Sequence, residues 1–160
     1  MGKTCVFFGH RDCPETIRPA LRQLVVELIE EWEVDRFYLG RQGNFDRLAR
    51  AVLRDVSAEY PHLCYAVVLE RLPDQREKGE DTMLPEGMEM VPPRYAISRR
   101  NDWMLRQAGY VVAYLTHPWG GAAQFVRKAL RQQKVVFSVG DSAVLRGLRP
   151  AECQTGREED

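Results

Sequence analysis

Unbroken apolar runs alternate along this chain with stretches in which apolar residues return every third or fourth position. Residues 4–9, TCVFFG, are such a run, closed by a glycine, and predict a strand covered on both faces. Ile17, Leu21, Leu24, Val25, Leu28, Ile29 and Trp32 then recur at helical spacing and predict an amphipathic helix. Its start is blurred, because Pro14 and Pro19 cannot both occupy the tolerant first turn. A second short strand is predicted over 36–40. A helix over 44–60 follows, with Phe45, Leu48, Ala49, Val52, Leu53 and Val56 on one face, and then a third strand over 64–72.

Over residues 73–93 the period is lost. PDQREKGEDTMLPEGMEMVPP is charged and holds four prolines. A loop of this length inside a compact domain is usually functional or disordered. Periodicity resumes with a helix over 98–109, for which Ser98 is the expected N-cap. A strand over 110–115, a helix over 120–133 and a strand over 134–139 complete the pattern.

Strand and helix therefore alternate, which implies a parallel sheet with helices on both faces and right-handed crossovers. The predicted fold is α/β, a single Rossmann-like domain over residues 1–148 with a mainly parallel sheet of about five strands. Residues 149–160 read as a flexible polar tail.

Composition changes this picture little. A chain of 160 residues, 44% of them hydrophobic, can build one substantial core. Lys and Arg balance Asp and Glu at 23 each, so bulk charge gives no argument for nucleic acid or an anionic membrane. No apolar run reaches the roughly 20 residues of a bilayer span. The N-terminus lacks a signal-peptide pattern, so a cytoplasmic protein is expected. Of the four cysteines, Cys5 and Cys64 sit in apolar runs and read as small core residues. His10 and Cys13 are spaced as half a metal site without a second half, so no metal is expected.

Candidate chemistry lies just beyond the strands, where open parallel sheets bind ligands. Gly9, His10, Arg11 and Asp12 follow the first strand; Gly40, Arg41, Gln42, Gly43, Asn44 and Asp46 follow the second. His117, Pro118, Trp119, Gly120 and Gly121 follow the fourth. The paired glycines open a helix although glycine is a poor helix former. Two explanations stand side by side: close approach of backbone N–H groups to an anion, or a tight turn that binds nothing. The dinucleotide signature GxGxxG and the phosphate-binding GxxxxGK[ST] are both absent, which disfavours a standard dehydrogenase or NTPase. Plainer roles exist for most of these residues. Asp46 suits a first-turn helix acid, Asn44 a turn residue tolerating positive φ, and Arg99 and Arg100 a solvated helix face.

VFFGHRD, YLGRQGNFDRLA, YAISRRNDWMLRQAGYVVAYL and WGGAAQF, in this order, resemble the SLOG superfamily, and in particular its YpsA-like bacterial members. That superfamily also contains the lonely-guy phosphoribohydrolases and DNA-processing proteins of natural transformation. The resemblance implies a Rossmann-like domain binding a nucleotide or nucleotide-derived phosphorylated ligand, in a sensing or regulatory role, with phosphate at Gly120 and Gly121. Arg100 and Arg11 would neutralise it, and Gly9, Gly40 and Gly43 would admit close approach. His10, Asn44, Asp46, Asn101 and His117 would supply polar contacts, and the segment 73–97, with Glu86, would act as a lid. No cofactor is implied. Relatives carry Gly-Phe-Asp where this chain has Asn44-Phe45-Asp46, a turn that Asn44 could still support. The catalytic Glu of the lonely-guy motif PGGxGTxxE aligns with Phe125, which argues against phosphoribohydrolysis. The alternatives are a phosphoribohydrolase-like enzyme with Asp46 or Glu86 as the acid, and a module for protein or single-stranded nucleic acid. Self-association is left open.

Overall fold

The structure is a computed structural model that describes residues 2–76, 79 and 81–150. From residue 151 onward, the polar tail lies outside the described residues. In chain order the elements are β1 (Lys3–Gly9), α1 (Arg18–Glu30), β2 (Val34–Leu39), α2 (Gly43–Glu59), β3 (Cys64–Val68) and β4 (Thr82–Met83). Then come α3 (Pro93–Gln107), β5 (Tyr110–Tyr114), α4 (Gly121–Arg131), β6 (Val135–Ser138) and α5 (Ser142–Leu148).

All the strands pair in parallel, in the order β4-β3-β2-β1-β5-β6. Among the described residues the sheet thus has six strands, one more than the periodicity predicts. The chain steps outward from β1 to β4, then crosses back to lay β5 on the other side of β1. Strand order reverses between β1 and β5, and the crevice over their carboxyl ends is where a doubly wound sheet accepts ligands.

The alternation of β1 explains the layering. Cys5 and Phe7 point into a core shared with Leu21, Val25 and Leu28 of α1 and Phe45, Leu48 and Val52 of α2. Val6 and Phe8 point the other way, into a core with Met104 and Leu105 of α3, Phe125 and Val126 of α4, and Leu145 of α5. Each strand of a doubly covered sheet must be apolar on both sides, which is why its sequence reads as a run rather than an alternation.

Several local expectations change. Pro19 takes the first turn of α1, while Pro14 caps a short 3-10 turn at Glu15–Ile17. Helix α3 begins at Pro93, so Ser98 is not its cap; proline's preset φ suits a first helical position. Gly43, not Asn44, takes the positive φ of +88° after β2, and Asn44 is already helical. Cys5 is buried as expected, but Cys64, at the start of β3, is exposed. The aperiodic segment is tied to the sheet: the N–H of Leu69 donates to Met83 O at 2.8 Å, and Arg50 donates to Asp81 through Nε at 2.8 Å and Nη2 at 2.6 Å. Residues 142–148 form a helix that was not predicted, with Asp141 as N-cap accepting from the Ala143 N–H at 2.9 Å.

Candidate functional site

A cleft of 320 Å³ opens over the carboxyl ends of β1, β2 and β5. Gly9, His10 and Arg11 reach it from β1, Gly40, Gln42 and Asp46 from the β2–α2 junction, Arg100 and Asn101 from α3, and Gly121 and Ala122 from α4. Seven of the fifteen residues singled out by their place after strands are therefore brought to one crevice by the crossover.

The start of α4 is its most open feature. Gly120, the N-cap, has φ +100° and no side chain caps the helix. The first helical bond back to the cap is Gln124 N–H to Gly120 O, at 3.0 Å. The N–H groups ahead of it carry the positive end of the helix dipole. A Cβ on Gly121 would meet nothing within 4 Å. Neither packing nor backbone conformation demands glycine there, whereas Gly120 is explained by its φ.

Gly9, Gly40 and Gly43 have packing reasons. A Cβ on Gly9 would lie 2.2 Å from the Phe45 ring, one on Gly40 would lie 2.8 Å from Arg100 Nη2, and one on Gly43 would lie 2.6 Å from Arg11 Cα. The space kept free at these three positions is filled by the protein itself. Gly9 and Gly40 nonetheless line the cleft, whereas Gly43 does not.

Arg100 is not a solvated helix charge. It is 2% exposed, the one buried charged side chain among the described residues. Its guanidinium donates to Val68 O at 2.9 Å, Gln42 Oε1 at 2.5 Å and Asn101 Oδ1 at 2.8 Å, and lies 3.6 Å from Glu70. Desolvation holds its pKa below the ordinary arginine value, with Asp46 and Glu70 opposing. A buried charge must be paired in this way to be tolerated. Arg100 thus fastens the β2–α2 loop, the end of β3 and α3 to one another, and presents only an edge to the cleft. Burial also pushes the Glu70 carboxyl upward, but hydrogen bonds from Arg41 at 2.9–3.2 Å outweigh this and its pKa is lowered.

Asp46 lies at the cleft floor, partly buried, and accepts from the Gln42 N–H at 2.9 Å. Asp46 is the fourth residue of α2, and by accepting from the N–H of the N-cap residue Gln42 it makes a helix-capping contact. Desolvation raises its pKa to about 6 despite the Gln42 bond and the nearby Arg100 and Arg11. His10 donates through Nε2 to the carbonyl of His117 at 3.2 Å. Its ring stacks on His117 at 3.7 Å, and His117 stacks on Trp119 at 4.1 Å. Burial holds His10 below the ordinary histidine pKa. His117 supports His10 from behind and does not line the cleft.

Asn44 and Glu86, like Gly43, Gly120 and His117, are not among the residues that line the cleft. Asn44 points its amide oxygen at Arg47 and its N–H at Arg11 O, and is not a cleft wall. Glu86 is exposed and lines a separate pocket with Arg99, Trp103 and Arg106. Of the segment 73–97, Ile97 lines the cleft and none of its other described residues does. Phe125 is buried on the inner face of α4 and stacks on Phe8 at 5.6 Å, so its position faces core rather than cleft. Gln42, named in the sequence only as one of the residues after the second strand and given no role there, is the partner of both Arg100 and Asp46. Its only signal was its place in the β2–α2 turn.

The fold and crevice define a doubly wound, Rossmann-like α/β domain. No protein-family model matches the chain, and no curated protein matches it. Among solved structures it is similar to DNA processing protein A (DprA) from Streptococcus pneumoniae, with a TM-score of 0.66 at 13% identity. The alignment covers 86% of this chain and 50% of that one, so the chain spans about half the length of its structural neighbour. At that identity the likeness establishes the fold. Among the described residues, no helix is long and apolar enough to cross a membrane.

Proposed function

We propose that this chain is a SLOG-type domain, of the YpsA-like kind, that binds a nucleotide or nucleotide-derived phosphorylated ligand in the cleft between β1 and β5. One observation carries this: α4 starts uncapped at the switch point, with a glycine at position 121 that neither packing nor φ requires. Free N–H groups there suit a phosphate, and Arg11, which also lines the cleft, adds positive charge. Arg100 contributes by holding Gln42 and Asn101 in place. A sensing or regulatory role fits better than hydrolysis, because the position aligned with the family's catalytic Glu is the core residue Phe125.

The test is thermal stabilisation by nucleoside mono-, di- and triphosphates, in the wild type and in Gly121→Asp. A ligand at 100 times its Kd stabilises by about 2.7 kcal/mol, a readily measured shift. The aspartate finds open space and suits a first helical turn, so the variant should fold normally. Its carboxylate would occupy the N–H groups and repel phosphate. Equal shifts in both proteins would place the site elsewhere.

A further inference from the structure

Pro93, Ala96, Ile97, Arg100 and Asn101 recur on α3 at three- and four-residue steps and so share one face of the helix. The two polar residues wall the cleft described above. Pro93 and Ala96 wall a second cavity, of 440 Å³, together with Leu72, Met88 and Val91. Ile97 lines both spaces. Over little more than one helical turn, a chamber of mixed polar and apolar lining thus gives way to a mainly apolar one.

The second chamber exposes side chains that folding would ordinarily cover. Leu72 is 63% exposed and Ile97 40%. Exposed apolar area of this kind is stabilised when a ligand removes it from water, at roughly 25 cal/mol per Å². The charges at the junction are already satisfied, since Glu70 is paired with Arg41 and faces Arg100. Arg71 and Glu89 also line the groove, and both are exposed, so their charged ends stay in contact with solvent. The cleft by itself, at 320 Å³, lies at the small end of ligand pockets, which run to about 1,000 Å³. It has room for a phosphorylated sugar, and the neighbouring groove has room for the ring attached to it.

We propose that the groove lined by Leu72, Met88, Val91, Pro93, Ala96 and Ile97 is the base subsite of the cleft, which makes the ligand a nucleoside phosphate rather than a sugar phosphate. This rests on the nucleotide reading of the cleft. The phosphate lies toward the start of α4 and the base lies across Ile97, against Leu72. Recognition in the groove is by apolar contact with the ring faces, so the site separates nucleotides from sugar phosphates more strongly than it separates one base from another.

Calorimetric titration of the full chain with adenosine 5′-monophosphate and with ribose 5-phosphate tests this, because the two differ only in the base. The nucleotide should bind about tenfold tighter or better, a difference of roughly 1.4 kcal/mol. Leu72→Asp and Val91→Asp, both at residues that line the groove and not the cleft, should each erase most of that advantage and leave ribose 5-phosphate affinity unchanged. Leu72 is exposed, so the first variant tests the subsite even if the second folds poorly. Equal affinity of the two compounds, or full nucleotide affinity in Leu72→Asp, would overturn the base subsite while leaving the phosphate cleft standing. Failure of both compounds to bind the wild type would overturn the cleft and the subsite with it.

Discussion

A methyl group added at Gly40 would test whether Arg100 is held as tightly as its surroundings imply. Gly40 needs no special φ, so Gly40→Ala is innocent as far as the backbone is concerned. The new Cβ, however, would stand 2.8 Å from Nη2 and 2.9 Å from both Cζ and Nη1 of Arg100. The end of a free arginine would swing aside at little cost. This one donates to Val68 O, Gln42 and Asn101, so any shift lengthens those bonds. Overpacking of this kind costs about 1–3 kcal/mol. Arg100→Ala alone should cost about 3 kcal/mol. It leaves the Val68 carbonyl without that donor, worth about 1–3 kcal/mol. Glu70 keeps Arg41, so the loss stays at the low end of the roughly 3–5 kcal/mol for breaking a buried pair. In the double variant the methyl enters space the guanidinium has left, and the Gly40→Ala cost should vanish. Urea unfolding of the wild type, both single variants and the double variant at constant m gives the coupling, expected at about 1–3 kcal/mol. Additivity within about 0.5 kcal/mol would show that Arg100 moves freely, and the account of it as a fixed fastener would be wrong.

Two further outcomes are expected. Asp46 titrates near 6 in the folded chain against an ordinary value of 3.8, so the folded state holds the extra proton between those values and its stability falls as pH rises from about 4 to 6. Asp46→Asn should remove that fall, worth at most about 3 kcal/mol, and a wild type with the same pH profile as Asp46→Asn would show that the carboxyl is not desolvated. No useful release of free base from nucleoside monophosphates is expected, because Phe125 is core and Asp46 serves the Gln42 N–H. Turnover near the enzyme median of about 10 s⁻¹, lost in Asp46→Asn, would instead make Asp46 a catalytic acid.

The alternation of β1 and the helical repeats of α1, α2 and α4 were legible because each signal is local. An apolar run means a strand covered twice, and a three-to-four repeat means one covered helix face. The crevice followed from those same signals, since a parallel sheet must place its strand ends together. What the sequence could not determine is what occupies the space beside each glycine. Gly9, Gly40 and Gly43 look alike in the chain, yet Phe45, Arg100 and Arg11 fill the room beside them, while Gly121 faces open space. Likewise Arg99 and Arg100 are neighbours with the same charge, and one is exposed and the other buried. Helix rotation turned Arg100 inward, toward acceptors from β3 and the β2–α2 loop that lie 32 and 58 residues away in the chain. Pattern within a window of a few residues specifies which face is covered. Only the packed tertiary structure decides what covers it, because those partners come from distant segments brought together by the crossover.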